Sequence, residues 1–392
     1  MKMRREAIRN RYIGCMEPVR IAFLGAGRRA SYLYARLIAA MGEWVTLVGV
    51  WSRSEASAKR LGDEHGVPWY TSMERLKRET GAVAGIVSVS YSANGAVGRE
   101  AVENGFHILT ETPIAHDLAT ADAIVRIAEE AGLKVEVAEQ FHRRPDEQIK
   151  LALIQSGLFG EVLSSFNDFA GHGYHGVSVM RSYLGFDRRP LRVSGSVHQY
   201  TVAGHRGILT PNTDPRVETQ EHGIVEMEGD RVGIFHWTSI GYDSAARWWR
   251  GSRFYAERGM AVTSGTYNEP RHELTVIGPD AESAHRTTLH RELERCDGGA
   301  LVRYVAYPGL PDAPPVEWRN PFGQGPAGSN PEWHDDEIGV AGCIVSLVDA
   351  IRQNREPSYG ARQGLIDQEV ILALRASAAQ GGAPVDLPMP RE

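Results

Sequence analysis

From Val19 onward, short apolar runs alternate with segments of helical length and amphipathic spacing. The run VRIAFLGAG predicts a buried strand closed by glycines, and RRASYLYARLIAAM sets Leu33, Leu37 and Met41 at helical intervals. WVTLVGVWSR, VAGIVSVS, FHILTE and KVEVAEQF read as further strands. Between them EASAKRLGDEHG, GREAVENG and LATADAIVRIAEEAG read as helices, two of them ended by Gly66 and Gly132. Such alternation predicts an α/β Rossmann-like domain, a parallel sheet with helices on both faces, over residues 19–142.

The pattern changes after Pro145. One helix, PDEQIKLALIQSG, is followed by extended runs such as EVLSSFNDF, LRVSGSVHQYTV and HELTVIG. Glu228-Gly229-Asp230, set between two alternating runs, is a hairpin signal. Strands in succession with few helices predict an α+β domain over residues 143–392, its sheet open and mostly antiparallel. The Pro/Gly-rich stretch from Pro308 to Pro331 reads as a long loop, and two helices close the chain. Residues 1–18 read as a basic N-terminal extension without the continuous apolar segment of a signal peptide.

A chain of 392 residues is long enough for two cores, in agreement with that division. A net charge of −6 gives no broad basic field, so neither nucleic acid nor an anionic membrane is an expected partner. Three cysteines, Cys15, Cys296 and Cys343, are too few and too scattered for a disulfide framework or a zinc cluster. A reducing compartment, with the cytoplasm as default, is the expected location.

The chemistry begins at FLGAGRRA. Gly25-x-Gly27-x-x-Ala30 follows a strand and opens a helix, the context in which a glycine fingerprint binds a dinucleotide. The first glycine makes the turn, the second admits the pyrophosphate, and Arg28 and Arg29 lie at the helix start where anions bind. A chain that prefers NAD carries an acid near the end of the second strand, whereas this one has Ser52 and Arg53. A hydroxyl followed by a guanidinium suits a 2′-phosphate, so NADP is expected before NAD.

GREAVENGFHILTETPIA, VEVAEQFHRRP and the C-terminal REPSYGARQGLIDQEVILALRASAAQGGAPVDLP resemble the Gfo/Idh/MocA family of glucose–fructose oxidoreductases and inositol dehydrogenases. The resemblance covers nearly the whole chain. It implies a nicotinamide cofactor with Ser90, Tyr91 and Asn94 near its nicotinamide half, Glu111 near its ribose, and Glu139 and Gln140 beside the cofactor. It also implies a sugar-like substrate and a homodimer or homotetramer formed through the open sheet face. The family's Glu-Lys-Pro motif falls on Glu111-Thr112-Pro113, so its lysine is replaced by Thr112. Its Asp-x-x-x-His pair falls on Gly171 and His175, so the aspartate is missing as well and the histidine is retained.

His175 is then the leading acid/base candidate, because imidazole titrates near working pH. Tyr174 is a candidate proton donor on condition that a nearby cation lowers its pKa, and His172 is a candidate second base. Thr112 supplies a hydroxyl in place of a cation. No metal site is expected, since His172 and His175 lack a third ligand in sequence. The aromatic and basic residues Tyr200, His236, Trp237, Tyr242, Arg247 and Trp248 suit either a sugar-binding face or a subunit interface. Three functions are compatible: a nicotinamide-dependent oxidoreductase acting on a sugar, sugar acid or cyclitol, a redox-neutral glycoside hydrolase or lyase using bound NAD(P) transiently, and a nucleotide-binding protein without turnover.

Overall fold

The structure is a computed structural model that describes residues 17–169, 172–204, 207, 213–244, 249–266, 269–277, 284–288, 290–292, 301–308, 313–322 and 333–391. Two compact units emerge. One comprises the residues up to Glu111 with Arg126–Glu136 and Ile344–Ser358, and the other comprises Thr112–Val125, Val137–Cys343 and Tyr359–Glu392. Chain from either side of residue 142 therefore contributes to each unit. Of the expected N-terminal extension, residues 1–16 lie outside the described residues.

In the first unit β1 (Val19–Leu24) leads through a π-helical turn, Ala30–Tyr34, into α1 (Ala35–Ala40). There follow β2 (Val45–Trp51), α2 (Glu55–His65), β3 (Trp69–Tyr70), α3 (Met73–Thr80), β4 (Ala84–Val87), α4 (Asn94–Glu103), β5 (His107–Thr110), α5 (Leu118–Glu130) and β6 (Val135–Val137). The strands form a sheet in the order β3-β2-β1-β4-β5-β6. That is the doubly wound order in which the chain reverses direction between β1 and β4. The strands are mainly apolar: Ile21, Phe23, Val50, Ile86, Ile108 and Leu109 are almost wholly buried. Helix ends follow local rules, with Ser54 and Ser72 capping α2 and α3 by accepting from the Ser57 and Arg75 N–H groups.

In the second unit α6 (Pro145–Gln155) precedes β7 (Val162–Phe169), α7 (Tyr174–Leu184), β8 (Pro190–Val202), β9 (Arg216–Met227) and β10 (Arg231–Thr238). Then come β11 (Arg250–Ala256), β12 (Gly259–Thr266), β13 (Glu269–Ile277), β14 (Ala284–Thr288), β15 (His290–Glu292), β16 (Arg303–Ala306) and β17 (Val316–Arg319), with α8 (Asp335–Gln353), α9 (Ala361–Ala379) and β18 (Val385–Asp386) last. Two helices are divided between the units: residues 118–125 of α5 belong to the second, and residues 344–353 of α8 belong to the first. Nine strands form one sheet in the order β14-β13-β12-β11-β7-β10-β9-β8-β18. Only β7 and β10 run parallel, so the sheet is mostly antiparallel. Its hairpin between β9 and β10 turns at Gly229 and Asp230, both with positive φ.

One side of this sheet is covered. Val193, Val225 and Phe235 from the strands share a core with Val177 and Met180 of α7 and Leu374 of α9. The other side exposes Ile224, Ile234 and Tyr255. The stretch expected as one long loop is corrected: Val316–Arg319 is a strand paired with β16. Alternation in Val316-Glu317-Trp318-Arg319 satisfies a sheet edge, a signal hidden by the surrounding prolines and glycines. Residues 309–312 and 323–332 of that stretch lie outside the described residues.

Phe254 on β11 is fully buried, edge-on to Phe159 and Tyr183 at 5.2 and 5.4 Å. Phe254→Ala removes both ring contacts and leaves a cavity, so urea denaturation is expected to show a loss of about 3–5 kcal/mol. A loss under about 1 kcal/mol would contradict this placement of the core.

Candidate functional site

The glycine-rich turn lies between β1 and the following helix. Gly25 has φ of 132°, and a Cβ there would collide with the Ser88 carbonyl. Only glycine meets both demands. The Gly25 N–H donates to the Trp51 carbonyl (2.9 Å), fixing the turn against the end of β2. A Cβ on Gly27 would have only the Ser88 carbonyl near it, at 3.5 Å, and the residue is exposed. Backbone approach at this turn fits the pyrophosphate of a dinucleotide.

Several cations surround that turn. Arg28 is exposed and its guanidinium lies over the Tyr32 ring at 5.6 Å. Arg60 of α2 reaches back to donate to the Ala26 carbonyl (3.3 Å). Ser52 ends β2 with its hydroxyl oxygen accepting from the Ser54 N–H (3.2 Å), and Arg53 beside it is exposed. Arg60 was not foreseen from sequence, although its place six residues after the Ser54 cap could have indicated it.

Arg29 and Glu111, each expected to touch the cofactor, are ion-paired with one another. Tyr34 donates its hydroxyl to the same carboxylate oxygen (2.7 Å). The buried Asn94 amide donates to the Glu111 carbonyl (2.7 Å) and to Thr110 Oγ1 (3.1 Å), so it fixes the end of β5. Ser90 and Tyr91 are exposed at the start of a short 3-10 turn that leads into α4. These residues share the strand ends of the first unit.

The second unit holds the acid/base candidates. His175 lies in the first turn of α7 and is 3% exposed. Its Nδ1 is 2.6 Å from Oε2 of Glu139, a carboxylate with no exposed surface. Glu139 Oε1 accepts from the Phe141 N–H (3.0 Å), so each oxygen has a partner. Phe141 stacks on the His175 ring at 4.3 Å, and Phe169 meets it edge-on at 6.2 Å. The helix start approaches β10 closely because Gly173 and Gly176 carry no side chain: a Cβ at either would come within 2.9 Å of Trp237 or Phe235.

Glu139 was expected only as a neighbour of the cofactor, not as a partner of His175. Gln140 is buried and donates to Asp336 Oδ1 (3.2 Å). His172 precedes α7, is exposed, and its ring centroid lies 6.0 Å from that of His175. Tyr242 meets His172 Nε2 at 3.5 Å. Thr112 precedes a cis bond to Pro113. Gly171, Arg247 and Trp248 lie outside the described residues.

Tyr174 requires a correction. Its hydroxyl is buried, and burial together with the Asp367 and Glu139 carboxylates pushes its pKa well above the ordinary value, with Arg181 opposing only in part. The cation that would make it a ready proton donor does not prevail. Trp237, assigned from sequence to a sugar face or an interface, instead lies against Gly173. His236 pairs through Nδ1 with Asp168 (2.6 Å) and stacks on His222, and Tyr200 is exposed on β8. Among the described residues, no group of three or more His, Cys, Asp or Glu is arranged to hold a metal ion. Among them no helix is long and apolar enough to cross a membrane.

Residues 19–139 match the sequence model of the Gfo/Idh/MocA family, described as an oxidoreductase family with an NAD-binding Rossmann fold. YceM of Salmonella typhimurium, an oxidoreductase by name, is 30% identical over 129 residues, which cover 33% of this chain and 40% of that one. A D-xylose 1-dehydrogenase (NADP(+)) of Haloferax volcanii is 26% identical over 199 residues, 45% of this chain and 57% of the relative. The alignments thus span about half the length of these relatives. An NAD-binding oxidoreductase from Klebsiella pneumoniae has the same fold, with a TM-score of 0.71 at 16% identity over 95% of this chain and all of that one.

Gly25→Ala is expected to weaken NADPH binding at least about tenfold in calorimetric titration, because the added Cβ displaces the turn. Gly42→Ala, where a Cβ meets nothing within 4 Å, serves as the control and is expected to bind as the parent does.

Proposed function

We propose that this chain is a Gfo/Idh/MocA oxidoreductase that moves hydride between NADP(H), with NAD(H) as second choice, and a hydroxyl-bearing carbon of a sugar, sugar acid or cyclitol. The observation that carries the reading is the family match over residues 19–139, laid on a turn where Gly25 admits no side chain. The D-xylose dehydrogenase relative supports the substrate class. Ser52, exposed Arg53 and the neighbouring Arg60 favour a 2′-phosphate.

The chemistry assigned to this chain's residues is proton transfer. During oxidation the substrate carbon gives hydride to nicotinamide while His175 takes the hydroxyl proton; reduction reverses both transfers. When bound, the nicotinamide supplies the hydride chemistry, and the protein supplies binding, orientation and a base. Thr112 cannot offer a positive charge to a developing alkoxide, so charge on the oxygen is limited by proton transfer at His175, which takes the proton as hydride leaves in oxidation and returns it to the oxygen as hydride arrives in reduction.

The test incubates purified protein with NADP+ or NAD+ and a panel of aldoses, aldonic acids and inositols, following absorbance and product together. Net cofactor reduction supports the reading, with His175→Ala lowering kcat by roughly 10²–10⁴. Arg53→Ala is expected to shift the preference toward NAD by about tenfold, the effect of losing one phosphate contact. Product without net absorbance change would replace it with a redox-neutral reaction, and binding without either would leave a nucleotide-binding protein.

We also infer self-association through the exposed sheet face, where Ile224 is 51% and Ile234 40% exposed on paired strands. Contiguous exposed apolar surface of this kind marks an interface. Ile224→Asp combined with Ile234→Asp is expected to yield monomers in sedimentation velocity while the parent sediments as a dimer or tetramer. A parent that sediments as a monomer would overturn the inference.

A further inference from the structure

We propose that Glu139 is the positioning residue for His175, fixing its tautomer and aiming its Nε2 at the proton to be moved. The inference rests on the oxidoreductase reading for its kinetic consequence but not for its geometry. A carboxylate only accepts hydrogen bonds, so a neutral His175 facing Glu139 carries its proton on Nδ1. The lone pair is then on Nε2, and His175 is a base at that atom before any substrate arrives.

Glu139 suits this task because it cannot turn. Its Oε1 is held by the N–H of Phe141, two residues on, which leaves Oε2 to the imidazole. The ring of Phe141 lies on the His175 ring with an interplanar angle of 27°, so the same short segment sets both the tilt and the protonation of the imidazole. The carboxylate is excluded from water, where a hydrogen bond to it is stronger than on the surface. Residue 171, a glycine, has no side chain to offer the histidine. The carboxylate therefore comes from the segment after β6 rather than from the chain immediately before α7.

On deprotonating a substrate hydroxyl, Nε2 gains the proton and His175 becomes an imidazolium with Nδ1–H still directed at Glu139. The positive charge forms against a carboxylate already in place. In the reverse direction Nε2–H returns the proton and the Nδ1–H tautomer is restored. No proton passes to Glu139.

The test has two readouts. In the full chain labelled with 15N-histidine, the His175 signals are assigned by their loss in His175→Gln, and their shifts report the neutral tautomer. The parent is expected to show Nδ1–H; Glu139→Gln, which can donate as well as accept, is expected to populate Nε2–H. With a sugar turned over by the parent, Glu139→Gln is expected to lower kcat on the order of 10²–10⁴ with KM changed less than about threefold. Glu139→Asp, which keeps an acceptor on a shorter arm, is expected to recover part of that loss.

A parent His175 protonated on Nε2 would overturn the proposal, as would a Glu139→Gln spectrum identical to the parent's or a kcat within twofold of it. If no sugar in the panel is turned over, the oxidoreductase reading fails while the tautomer result still decides the role of Glu139. If Glu139→Gln does not fold, the parent's tautomer decides it.

Discussion

A carboxylate with no exposed surface has to be satisfied on every side, and the second unit is organised around one that is. Burying a lone charge costs several kcal/mol, a loss of the same order as the stability of a whole domain. Glu139 avoids that loss by using Oε1 on the Phe141 N–H and Oε2 on His175. The second bond ties the segment after β6 to the first turn of α7. Asn167 of β7 ties the same helix by donating to the Gly176 carbonyl (2.8 Å). Gly173 and Gly176 then let that turn approach Trp237 and Phe235. The glycines at 173 and 176 follow from this approach.

The support extends beneath Phe141. The guanidinium carbons of Arg144 and Arg250 lie 5.6 and 5.8 Å from its ring centroid, and both arginines are paired with Asp146. Truncating one member of such a buried set leaves a charge uncompensated, so the set resists deformation even where its net contribution to stability is small. Phe141 is thus held by cations and holds an imidazole. In the first unit the same economy appears at Glu111, whose carboxylate is shared by Arg29 and Tyr34. Arg29 is paired with Glu111 and Arg60 with Glu64 (3.1 Å), which leaves Arg28 and Arg53 as the exposed cations near the turn most suited to phosphate.

Features set by near neighbours in the chain were legible in the sequence. The Gly25 turn and the Gly229-Asp230 hairpin each depend on residues within a few positions. His175 was singled out in the sequence through the resemblance, as the histidine four positions after Gly171. Its pairing was not legible, because Glu139 is 36 positions away and nothing local records which side chain will face an imidazole. Arg29 and Glu111, 82 positions apart, were both singled out, but not as each other's partner. Tyr174 was legible as a residue and misjudged as a donor, since a pKa depends on burial and on carboxylates brought from Glu139 and Asp367. The strand Val316–Arg319 was obscured by composition, as its alternation spans only four residues between prolines and glycines.

Thr112 and Gly171 stand where the resemblance sets a lysine and an aspartate, and Glu139 bears on what that means. A carboxylate on the loop before α7 would move with the histidine it serves, whereas Glu139 is tied to its own chain through the Phe141 N–H. The imidazole is thereby referenced to the segment that follows β6. Absence of a cation at residue 112 removes one means of stabilising an alkoxide but leaves proton removal intact. A base with its tautomer already set meets that demand with fewer groups, because no reorientation accompanies the transfer. On the proposed reading the acid/base role falls to His175, and Glu139 is the residue that orients it.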